Sequence, residues 1–411
     1  MLKTVDVQVR SLDEFRPVVG EQVLEEIRRL AEPLRGARLV HINATAYGGG
    51  VAELLQTLVP LMRDAGLVAE WQIIEGTDEF FTVSTASHNG LQGMDLPLTE
   101  ETKAIWRRNN EANARRFEGD YDFVFVHDPQ PAGLLHYSGR KGGRHWIWRC
   151  HIDTSQPSPD YWQFYAPFIN AYEAAVFTMP DYVGPGVAFD HLAIIPPSID
   201  PLSPKNKPIP VEKARETVAR FGVDPTRPLI TQVSRFDPWK DPLGVIEAFR
   251  LARASAPGLQ LALVGSMASD DPEGWSFLDR TLRRAGEDGD IHVLHNLHGV
   301  GPAEVGAFQT ASDIILQKSI REGFGLTVAE ALWKGKAVIG GRAGGIRLQI
   351  LDGQTGVLVD SVEGCAQQIN RLLENPDERS RLGAAGREHV RGKFLSTRYL
   401  RDYLALMAEM V

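Results

Sequence analysis

The sequence predicts an α/β protein made of two doubly wound domains of similar size. Three observations support this: the length of 411 residues, the repeated alternation of short apolar runs with helical patterns, and one proline-rich stretch near the middle. A domain usually holds roughly 100–200 residues, so this length predicts two or three domains. Strands that alternate with helices are typical of parallel sheets covered by helices on both faces.

The first half of the chain contains five predicted strands. The segment before residue 37 has the pattern of mostly one amphipathic helix. The first strand leads into a glycine turn and then a helix whose apolar residues recur every three or four positions. The predicted strands are residues 37–43, 68–74, 122–127, 145–150 and 175–179.

A proline-rich segment separates the two halves. Residues 196–210 hold six prolines in fifteen positions, which hardly fits inside a helix or a sheet, so we predict a linker. After it the alternation restarts, and the chain ends in a helix over residues 396–411 whose apolar face needs a partner surface. The strands predicted for the second half are residues 228–234, 259–265, 291–296, 313–317 and 336–341.

Composition and charge exclude several kinds of partner. The 44 basic and 53 acidic residues give a net charge of −9 without any basic block, so neither nucleic acid nor an anionic membrane is an expected partner. No apolar run approaches the roughly 18 residues of a membrane helix, and the first residues lack a secretory apolar core. We therefore expect a cytoplasmic protein. Cys150 and Cys365 are too few for a CxxC metal site or a disulfide framework.

Motifs of several enzyme classes are missing from the sequence. There is no HExxH, Walker loop, GxSxG or CxxC motif, which disfavours zinc hydrolysis, P-loop phosphoryl transfer and serine hydrolysis. The Asp-x-Asp pairs at residues 120–122 and 288–290 precede predicted strands, whereas the metal-binding pair of a single-domain sugar transferase should follow one. We expect no protein metal site and no required cofactor, although Mg²⁺ carried by a nucleotide remains compatible with the sequence.

Two basic residues follow the first strand of the second half. Arg235 and Lys240 lie in SRFDPWKD, residues 234–241. Ligands of open α/β sheets bind at the carboxyl ends of strands, where two cations in one loop can hold a diphosphate from two sides. Taken alone, the pair fits a solvated surface loop equally well.

A glycine loop with two carboxylates follows a later strand. Gly323 and Gly325 let the backbone approach a ligand closely, and the free N–H groups of a helix that starts near Leu326 suit a phosphate. Glu322 lies in the loop and Glu330 about one turn inside the helix, so the two can accept hydrogen bonds from different hydroxyls of one ligand. The alternative is an ordinary glycine turn whose acids interact with the helix dipole.

The first half offers polar groups at strand ends as well. Its glycine turn, in residues 47–55, presents the backbone of Gly49 and Gly50 but lacks the GxGxxG pattern of dinucleotide sites. A histidine after one strand is often only a structural hydrogen bonder, whereas two such strand ends side by side favour a site. The polar residues that follow the two strands include His127, Asp128, His151 and Asp153.

In combination, SRFDPWKD and the later EGFGLTVAE (322–330) resemble the donor site of retaining glycosyltransferase family 4, which has the two-domain GT-B fold. The resemblance covers essentially the whole chain. It implies two Rossmann-like domains facing a cleft, with an acceptor-side domain over residues 1–198 and a donor-binding domain over 199–394. In this fold the final helix, 395–411, packs back on the first domain.

The same resemblance implies roles for individual residues. Arg235 and Lys240 bind the diphosphate, Glu322 binds hydroxyls of the donor sugar, and Glu330 binds the ribose. The nucleotide base is expected near the loop at residues 295–299. Further donor contacts fall on Gly49, Gly50, Asn296, Gly323, Phe324, Gly325 and Leu326.

Segments of the first half narrow the branch within that family. Residues 70–93, 126–134 and 148–155 are similar to glycosyltransferring trehalose synthases and to their relatives, the trehalose phosphorylases. His151 matches the family histidine that contacts the donor sugar, which places it with Arg235, Lys240 and Glu322 in the catalytic set. Asp153 completes this set from the acceptor side. The acceptor-binding candidates are Asp153, His88 and Asp128.

The implied reaction is reversible transfer of glucose from a nucleoside diphosphate glucose, such as UDP-glucose or ADP-glucose, to glucose, giving trehalose with retained configuration. A trehalose phosphorylase using inorganic phosphate is the alternative within the same fold, and the length of 411 residues favours the synthase. A sugar-nucleotide sensor without catalytic activity is the alternative from another class of protein. A sensor, however, has no need of the complete set of residues that stabilise a leaving group. A homodimer is compatible with the sequence.

Overall fold

The computed structural model describes residues 1–47, 49–267 and 272–411, and the chain divides into two compact units. The first unit holds residues 1–198 and 396–411, and the second holds residues 199–395. Each unit contains one sheet with helices between its strands. The predicted pair of doubly wound α/β domains is therefore confirmed.

The sheet of the first unit has seven strands in the order β1-β3-β2-β4-β5-β6-β7, defined below. All neighbouring strands run parallel except β1, which is antiparallel to β3. The strands are β1 (Lys3–Thr4), β2 (Arg38–Asn43), β3 (Val68–Ile73), β4 (Tyr121–His127), β5 (Gly143–Arg149), β6 (Ala174–Phe177) and β7 (His191–Ile194).

Helices of the first unit come from both ends of the chain. The last helix packs against the second and third, which supply the partner surface that its apolar face needs. The residues of this face are all buried: Tyr399, Leu400, Tyr403, Met407 and Met410. The helices are α1 (Arg16–Val19), α2 (Glu21–Ala31), α3 (Gly50–Asp64), α4 (Asp78–Leu91), α5 (Glu100–Arg116), α6 (Leu134–Ser138), α7 (Pro159–Ile169) and α16 (Ser396–Glu409).

The segment before β2 differs from the single helix predicted for it. It begins with the edge strand β1, and its helical part is divided between α1 and α2. The break falls at Gly20, whose φ of +80° lies in the left-handed region that glycine adopts at little cost. The amphipathic pattern belongs to α2, which buries Leu24 and Ile27.

The sheet of the second unit has six parallel strands, ordered β10-β9-β8-β11-β12-β13. Counted from β8, this is the order 3-2-1-4-5-6 of the Rossmann fold. Strands such as β8 are buried along their whole length because helices cover both faces of a parallel sheet. The strands are β8 (Leu229–Val233), β9 (Gln260–Gly265), β10 (Ile291–His295), β11 (Ile314–Gln317), β12 (Ala337–Gly341) and β13 (Val357–Val359).

The helices of the second unit connect these strands and close its C-terminal part. They are α8 (Val211–Ala219), α9 (Pro242–Arg253), α10 (Pro272–Ala285), α11 (Pro302–Ala311), α12 (Leu326–Trp333), α13 (Ile346–Gln349), α14 (Val362–Glu374) and α15 (Pro376–Lys393). Within the described ranges, no helix combines the length and apolar character needed to cross a membrane.

Both sheets reverse their strand order at one point, and these points locate the candidate site. In the second unit the reversal lies between β8 and β11, and in the first it lies between β2 and β4. Loops that leave the carboxyl ends of two such strands diverge to opposite sides and open a crevice, which is where ligands of doubly wound sheets bind. The loops with most of the predicted site residues leave these strands and β5, whereas Asn296 follows β10 and His88 lies in α4.

The proline-rich segment packs more closely than a solvated linker would. Ile199 is buried and pairs with Leu395, and Asn206 is 1% exposed. Prolines keep the segment out of helices and sheets, but its turns still bury side chains against the second unit. The segment therefore contributes side chains to that unit.

Candidate active site

The loop after β8 is shaped by two aspartates. Asp237 accepts a hydrogen bond from the backbone N–H of Lys240 at 3.1 Å and forms an ion pair with Arg235 at 3.0 Å. Asp241, whose φ is +48°, caps α9 by accepting from the Gly244 N–H at 3.0 Å. These contacts fix the loop so that Lys240 is nearly buried, whereas the side chain of Arg235 is 56% exposed.

Lys240 and Glu322, which lie 82 residues apart in the chain, form an ion pair. The Lys240 Nζ lies 2.6 Å from the Glu322 Oε2, and the same oxygen accepts from the Ser319 hydroxyl at 3.0 Å. Both side chains are largely buried, with 14% and 8% exposed. The structure thus brings together a cation suited to phosphate and a carboxylate suited to sugar hydroxyls, at the reversal of the sheet.

Gln232 joins the two loops and was not predicted. Its amide nitrogen donates to the Lys240 carbonyl at 2.8 Å, and its amide oxygen accepts from the Lys318 N–H at 2.9 Å. Lys318 in turn pairs with Asp241. A glutamine inside an apolar strand was the available signal, because a buried amide must find hydrogen-bond partners.

The glycine loop between β11 and α12 is held in place by contacts to its backbone. The Gln349 amide nitrogen donates to the Phe324 carbonyl at 2.6 Å, and Gly345 packs so closely that a Cβ there would lie 2.4 Å from the Phe324 Cα. Gly325 adopts φ +83° and precedes Leu326, the first residue of α12. The first N–H groups of an α-helix point away from its own carbonyl groups, and those of α12 lie close to Glu322 in the sequence.

Glu330 is completely buried inside α12. Its Oε1 lies 2.6 Å from the Lys205 Nζ, and its Oε2 is 3.4 Å from the Gln309 amide nitrogen. Lys205 lies in the proline-rich segment, where no motif marks it. The structure therefore supplies Glu330 with a cation that the sequence did not predict, while its role at a ribose stays a prediction.

Asn296 follows β10 and has both ends of its amide occupied. Its oxygen accepts from the Met267 N–H at 2.7 Å, and its nitrogen donates to the Met267 carbonyl at 3.0 Å. The side chain thus ties the end of β10 to the end of β9. In this structure Asn296 shapes the predicted base-binding loop through backbone contacts, and a direct contact with the nucleotide stays a prediction.

The glycine turn of the first unit leads directly into α3. Gly49 is extended, with φ −145°, and its carbonyl accepts from the Glu53 N–H at 3.1 Å, so α3 begins at Gly50. The N–H groups of this first turn have no acceptor inside the helix. Gly48, in the same turn, lies outside the described residues.

Two predicted residues of the first unit, Asp128 and His151, are joined at the carboxyl ends of β4 and β5. The His151 backbone N–H donates to the Asp128 Oδ1 at 2.7 Å, and the His127 and His151 rings are hydrogen-bonded at 2.8 Å. A third histidine, His41 of β2, extends this contact at 2.9 Å from His127. His41 was missed, because one histidine inside an apolar strand carries no sign of its neighbours.

Asp128 is buried in an unusual electrostatic setting. Burial raises the pKa of its carboxyl to about 7, against the opposing effects of the His151 N–H and the Arg149 guanidinium. Arg149 is itself fully buried, and its guanidinium nitrogens have no hydrogen-bond partner among the described residues. Asp128 therefore changes charge near neutral pH.

The other two residues predicted to bind the acceptor sugar, Asp153 and His88, follow β5 and lie in α4, respectively. Asp153 follows β5, is 3% exposed, and accepts from the Ser155 N–H at 3.0 Å and the Ser155 hydroxyl at 2.5 Å. His88 lies in the last turn of α4. Within the described part of the chain, no cluster of three or more His, Cys, Asp or Glu side chains is arranged to hold a metal ion.

Two families of known proteins match the two halves of the chain. Residues 41–184 match the trehalose synthase N-terminal domain, and residues 214–389 match the glycosyl transferases of group 1. The trehalose synthase of Rubrobacter xylanophilus is 49% identical over the whole of both chains. That of Pyrococcus horikoshii is 48% identical over 97% of this chain and 96% of its own.

More distant proteins also match the chain, in sequence or in structure. The trehalose phosphorylase of Pleurotus pulmonarius is 27% identical, and the match covers 85% of this chain but 54% of the fungal protein. The crystal structure of a UDP-forming α,α-trehalose-phosphate synthase from Burkholderia xenovorans superposes with a TM-score of 0.72 at 15% identity, over 90% of this chain and 98% of that one. The chain thus has the GT-B fold, belongs to the trehalose synthase family of group 1 glycosyl transferases, and is a glycosyltransferase of the trehalose synthase type.

Proposed function

We propose that this enzyme transfers glucose from a nucleoside diphosphate glucose to free glucose and forms trehalose with retained configuration. The observation that carries the proposal is the 2.6 Å pair of Lys240 and Glu322 at the reversal of the second sheet, with Arg235 in the same loop. A cation beside a carboxylate at that position suits a ligand in which phosphate and sugar are adjacent.

The proposed donor site stabilises the leaving diphosphate. Arg235, Lys240 and the N-terminus of α12 meet the negative charge that grows as the glycosidic bond breaks, and each contact of this kind supplies roughly 2–4 kcal/mol of barrier lowering. These groups belong to the protein, so the proposed step needs no metal of its own. Transfer that persists in EDTA supports this part of the proposal, and loss of transfer restored by Mg²⁺ contradicts it.

The proposed sugar and ribose contacts use carboxylate oxygens that have weak or exchangeable partners. Glu322 shares its Oε2 with Lys240 and Ser319, and it can accept from glucosyl hydroxyls once Lys240 turns to the diphosphate. Glu330 offers its Oε2 to the ribose, since among the described residues that atom accepts one long hydrogen bond, from Gln309 at 3.4 Å. The ion pair with Lys205 places a positive charge beside this buried carboxylate.

The acceptor glucose is assigned to the first domain, near Asp153, Asp128 and His88. Neither aspartate is an evident covalent nucleophile, so we propose front-side attack, in which the leaving phosphate takes the proton of the acceptor hydroxyl. The acceptor oxygen forms a bond to the anomeric carbon as the bond between that carbon and the diphosphate oxygen breaks. The proton of the acceptor hydroxyl moves to the leaving phosphate in the same step. Asp128 and Asp153 hold the acceptor by accepting hydrogen bonds from its hydroxyls.

A phosphorylase is the second candidate, because a diphosphate site also fits inorganic phosphate. The full-length match at 49% identity to a trehalose synthase, against a partial match at 27% to a phosphorylase, favours the synthase. The UDP-forming activity named for the Burkholderia xenovorans protein supports a nucleoside diphosphate as leaving group.

The reverse reaction distinguishes the two candidates. Trehalose is incubated with the enzyme and either a nucleoside diphosphate (UDP or ADP) or inorganic phosphate, and the glucosyl product is identified by NMR. We expect a nucleotide sugar with at least one nucleoside diphosphate and no glucose 1-phosphate with phosphate. Glucose 1-phosphate without any nucleotide sugar would overturn the proposal.

A further inference from the structure

Three histidines of the first unit form a chain of hydrogen bonds that leads from the middle of the sheet to its carboxyl edge. The His41 Nδ1 lies 2.9 Å from the His127 Nε2, and the His127 Nδ1 lies 2.8 Å from the His151 Nε2. His41 and His127 are buried, whereas His151 is partly exposed. These nitrogen–nitrogen distances leave no room for a metal ion between the rings, so the contacts are hydrogen bonds.

The histidine chain carries no charge. Burial lowers the pKa of His41 to about 3, and burial together with the charge of Arg149 lowers the pKa of His151 well below its usual range. For His127 the causes are burial, His41 and Arg149. Each imidazole therefore holds a single proton. The other ionisable groups around the chain are Asp128, Arg149, Cys150, Tyr399 and Tyr403.

Only two proton arrangements satisfy both contacts when each ring holds one proton. In the first, every proton is on Nδ1, so His41 donates to His127, His127 donates to His151, and the His151 Nδ1–H faces away from the chain. In the second, every proton is on Nε2 and every hydrogen bond runs the other way. The proton on one ring thus determines the tautomer of the next.

The inner end of the chain selects between the two arrangements. The His41 Nε2 is buried and has no hydrogen-bond partner among the described residues. The second arrangement would bury an unpartnered N–H at this atom, whereas the first leaves a lone pair there. Buried N–H groups without an acceptor are the rarer of the two in folded proteins. The first arrangement is therefore favoured.

We propose that His41 and His127 are positioning residues that hold His151 as the Nδ1–H tautomer, so that its Nδ1 donates a hydrogen bond to a hydroxyl of the bound sugar. This inference rests on the proposed role of His151 at the donor sugar. It makes His151 a hydrogen-bond donor and excludes it as a general base. That assignment agrees with a transfer step in which the leaving phosphate takes the acceptor proton.

Two substitutions of His127 each keep one of its two hydrogen bonds in the histidine chain, so they separate the contact with His151 from the contact with His41. In His127→Asn the amide nitrogen takes the place of Nδ1 and can still donate to His151. In His127→Gln the amide reaches toward His41 instead and releases His151. We expect kcat/KM for the nucleotide sugar to fall no more than about threefold in the first variant. In the second it should fall by about 10²-fold, the usual size for one donor at a reacting group.

Nitrogen-15 NMR of the full-length protein with labelled histidines identifies the tautomer of each ring independently of enzyme activity. We expect the wild type to hold protons on the Nδ1 of His41, His127 and His151 throughout pH 5.5–8.5, and His151 to lose this fixed tautomer in His127→Gln alone. Protons on Nε2 in the wild type would overturn the inference, as would equal kinetics in the two His127 variants. His191→Gln, on β7 of the same sheet, is the matched control and should change neither readout.

The two proposals fail in distinguishable ways. If the wild type shows the predicted tautomer but forms no trehalose, the proposed function fails and the tautomer assignment stands. If trehalose forms but the tautomer is the other one, only the inference fails. Since the wild-type spectrum needs no substitution, misfolding of a variant does not remove the test.

Discussion

Replacing Glu322 with glutamine tests whether Lys240 serves the diphosphate. In the wild type Glu322 neutralises Lys240 at 2.6 Å, so it also opposes an anion that approaches the same lysine. At a separation of roughly 6 Å and an effective dielectric constant of about 20–40, one negative charge raises the energy of another by about 1.5–3 kcal/mol. After a discount for solvent screening, we expect Glu322→Gln to bind UDP or ADP about tenfold more tightly.

The same variant should lose transfer while it gains nucleotide affinity. Glu322 is proposed to hold hydroxyls of the moving glucose, so we expect kcat to fall by about 10²–10³-fold. Titration calorimetry with the nucleoside diphosphate measures the first effect, and timed release of nucleoside diphosphate with glucose as acceptor measures the second.

The control for Glu322→Gln is Glu363→Gln, which removes one exposed carboxylate from α14 of the same unit and should change neither quantity. Weaker nucleotide binding in the Glu322 variant would refute the electrostatic reasoning. Near-normal turnover would refute the site assignment. A wild type that binds the nucleotide without turnover would instead favour the sensor.

Further predictions concern the loop, the buried acid and pH. Gly345→Ala places a Cβ 2.4 Å from the Cα of Phe324 and should lower kcat/KM at least tenfold, while Gly392→Ala, with open space at its Cβ, should not. Lys205→Met leaves the carboxylate of Glu330 buried without its cation, and urea unfolding should show a loss of about 2–4 kcal/mol; an unchanged midpoint would contradict this. The pKa of Asp128 is raised from 3.8 to about 7, so the folded chain holds this proton more tightly and loses stability as pH rises from about 4 to 7. Asp128→Asn removes this loss, so its free energy of unfolding relative to wild type should rise by up to about 4 kcal/mol between pH 4 and pH 8, and a constant difference would contradict the raised pKa.

The sequence was sufficient to predict the candidate site residues that directly follow buried strands. Short apolar runs mark the strands of both sheets, and the carboxyl ends of parallel strands meet at one edge. That rule alone led to Arg235, Lys240 and Glu322, which the structure brings together after β8 and β11. In the first unit it likewise led to Asp128 and His151, which are hydrogen-bonded to each other.

Partners that depend on strand register or on irregular segments were not predictable. His41 contacts His127 because β2 and β4 pair in one particular register, which no local pattern encodes. Lys205 reaches Glu330 from a segment whose prolines indicated only a linker. The amide of Asn296 binds the backbone at the end of a neighbouring strand, a contact that no local pattern marks, while its contact with the nucleotide stays a prediction. In each case the missing information is tertiary.

The forward reaction with labelled acceptor tests the proposed activity most directly. The wild type is incubated with UDP-glucose, ADP-glucose or other nucleoside diphosphate glucoses together with carbon-13 glucose, and the products are identified by NMR. We predict trehalose with an α bond at the transferred glucose, in amounts equal to the nucleoside diphosphate released. Hydrolysis without trehalose, an inverted bond, or no transfer from any nucleoside diphosphate glucose would contradict the proposed function.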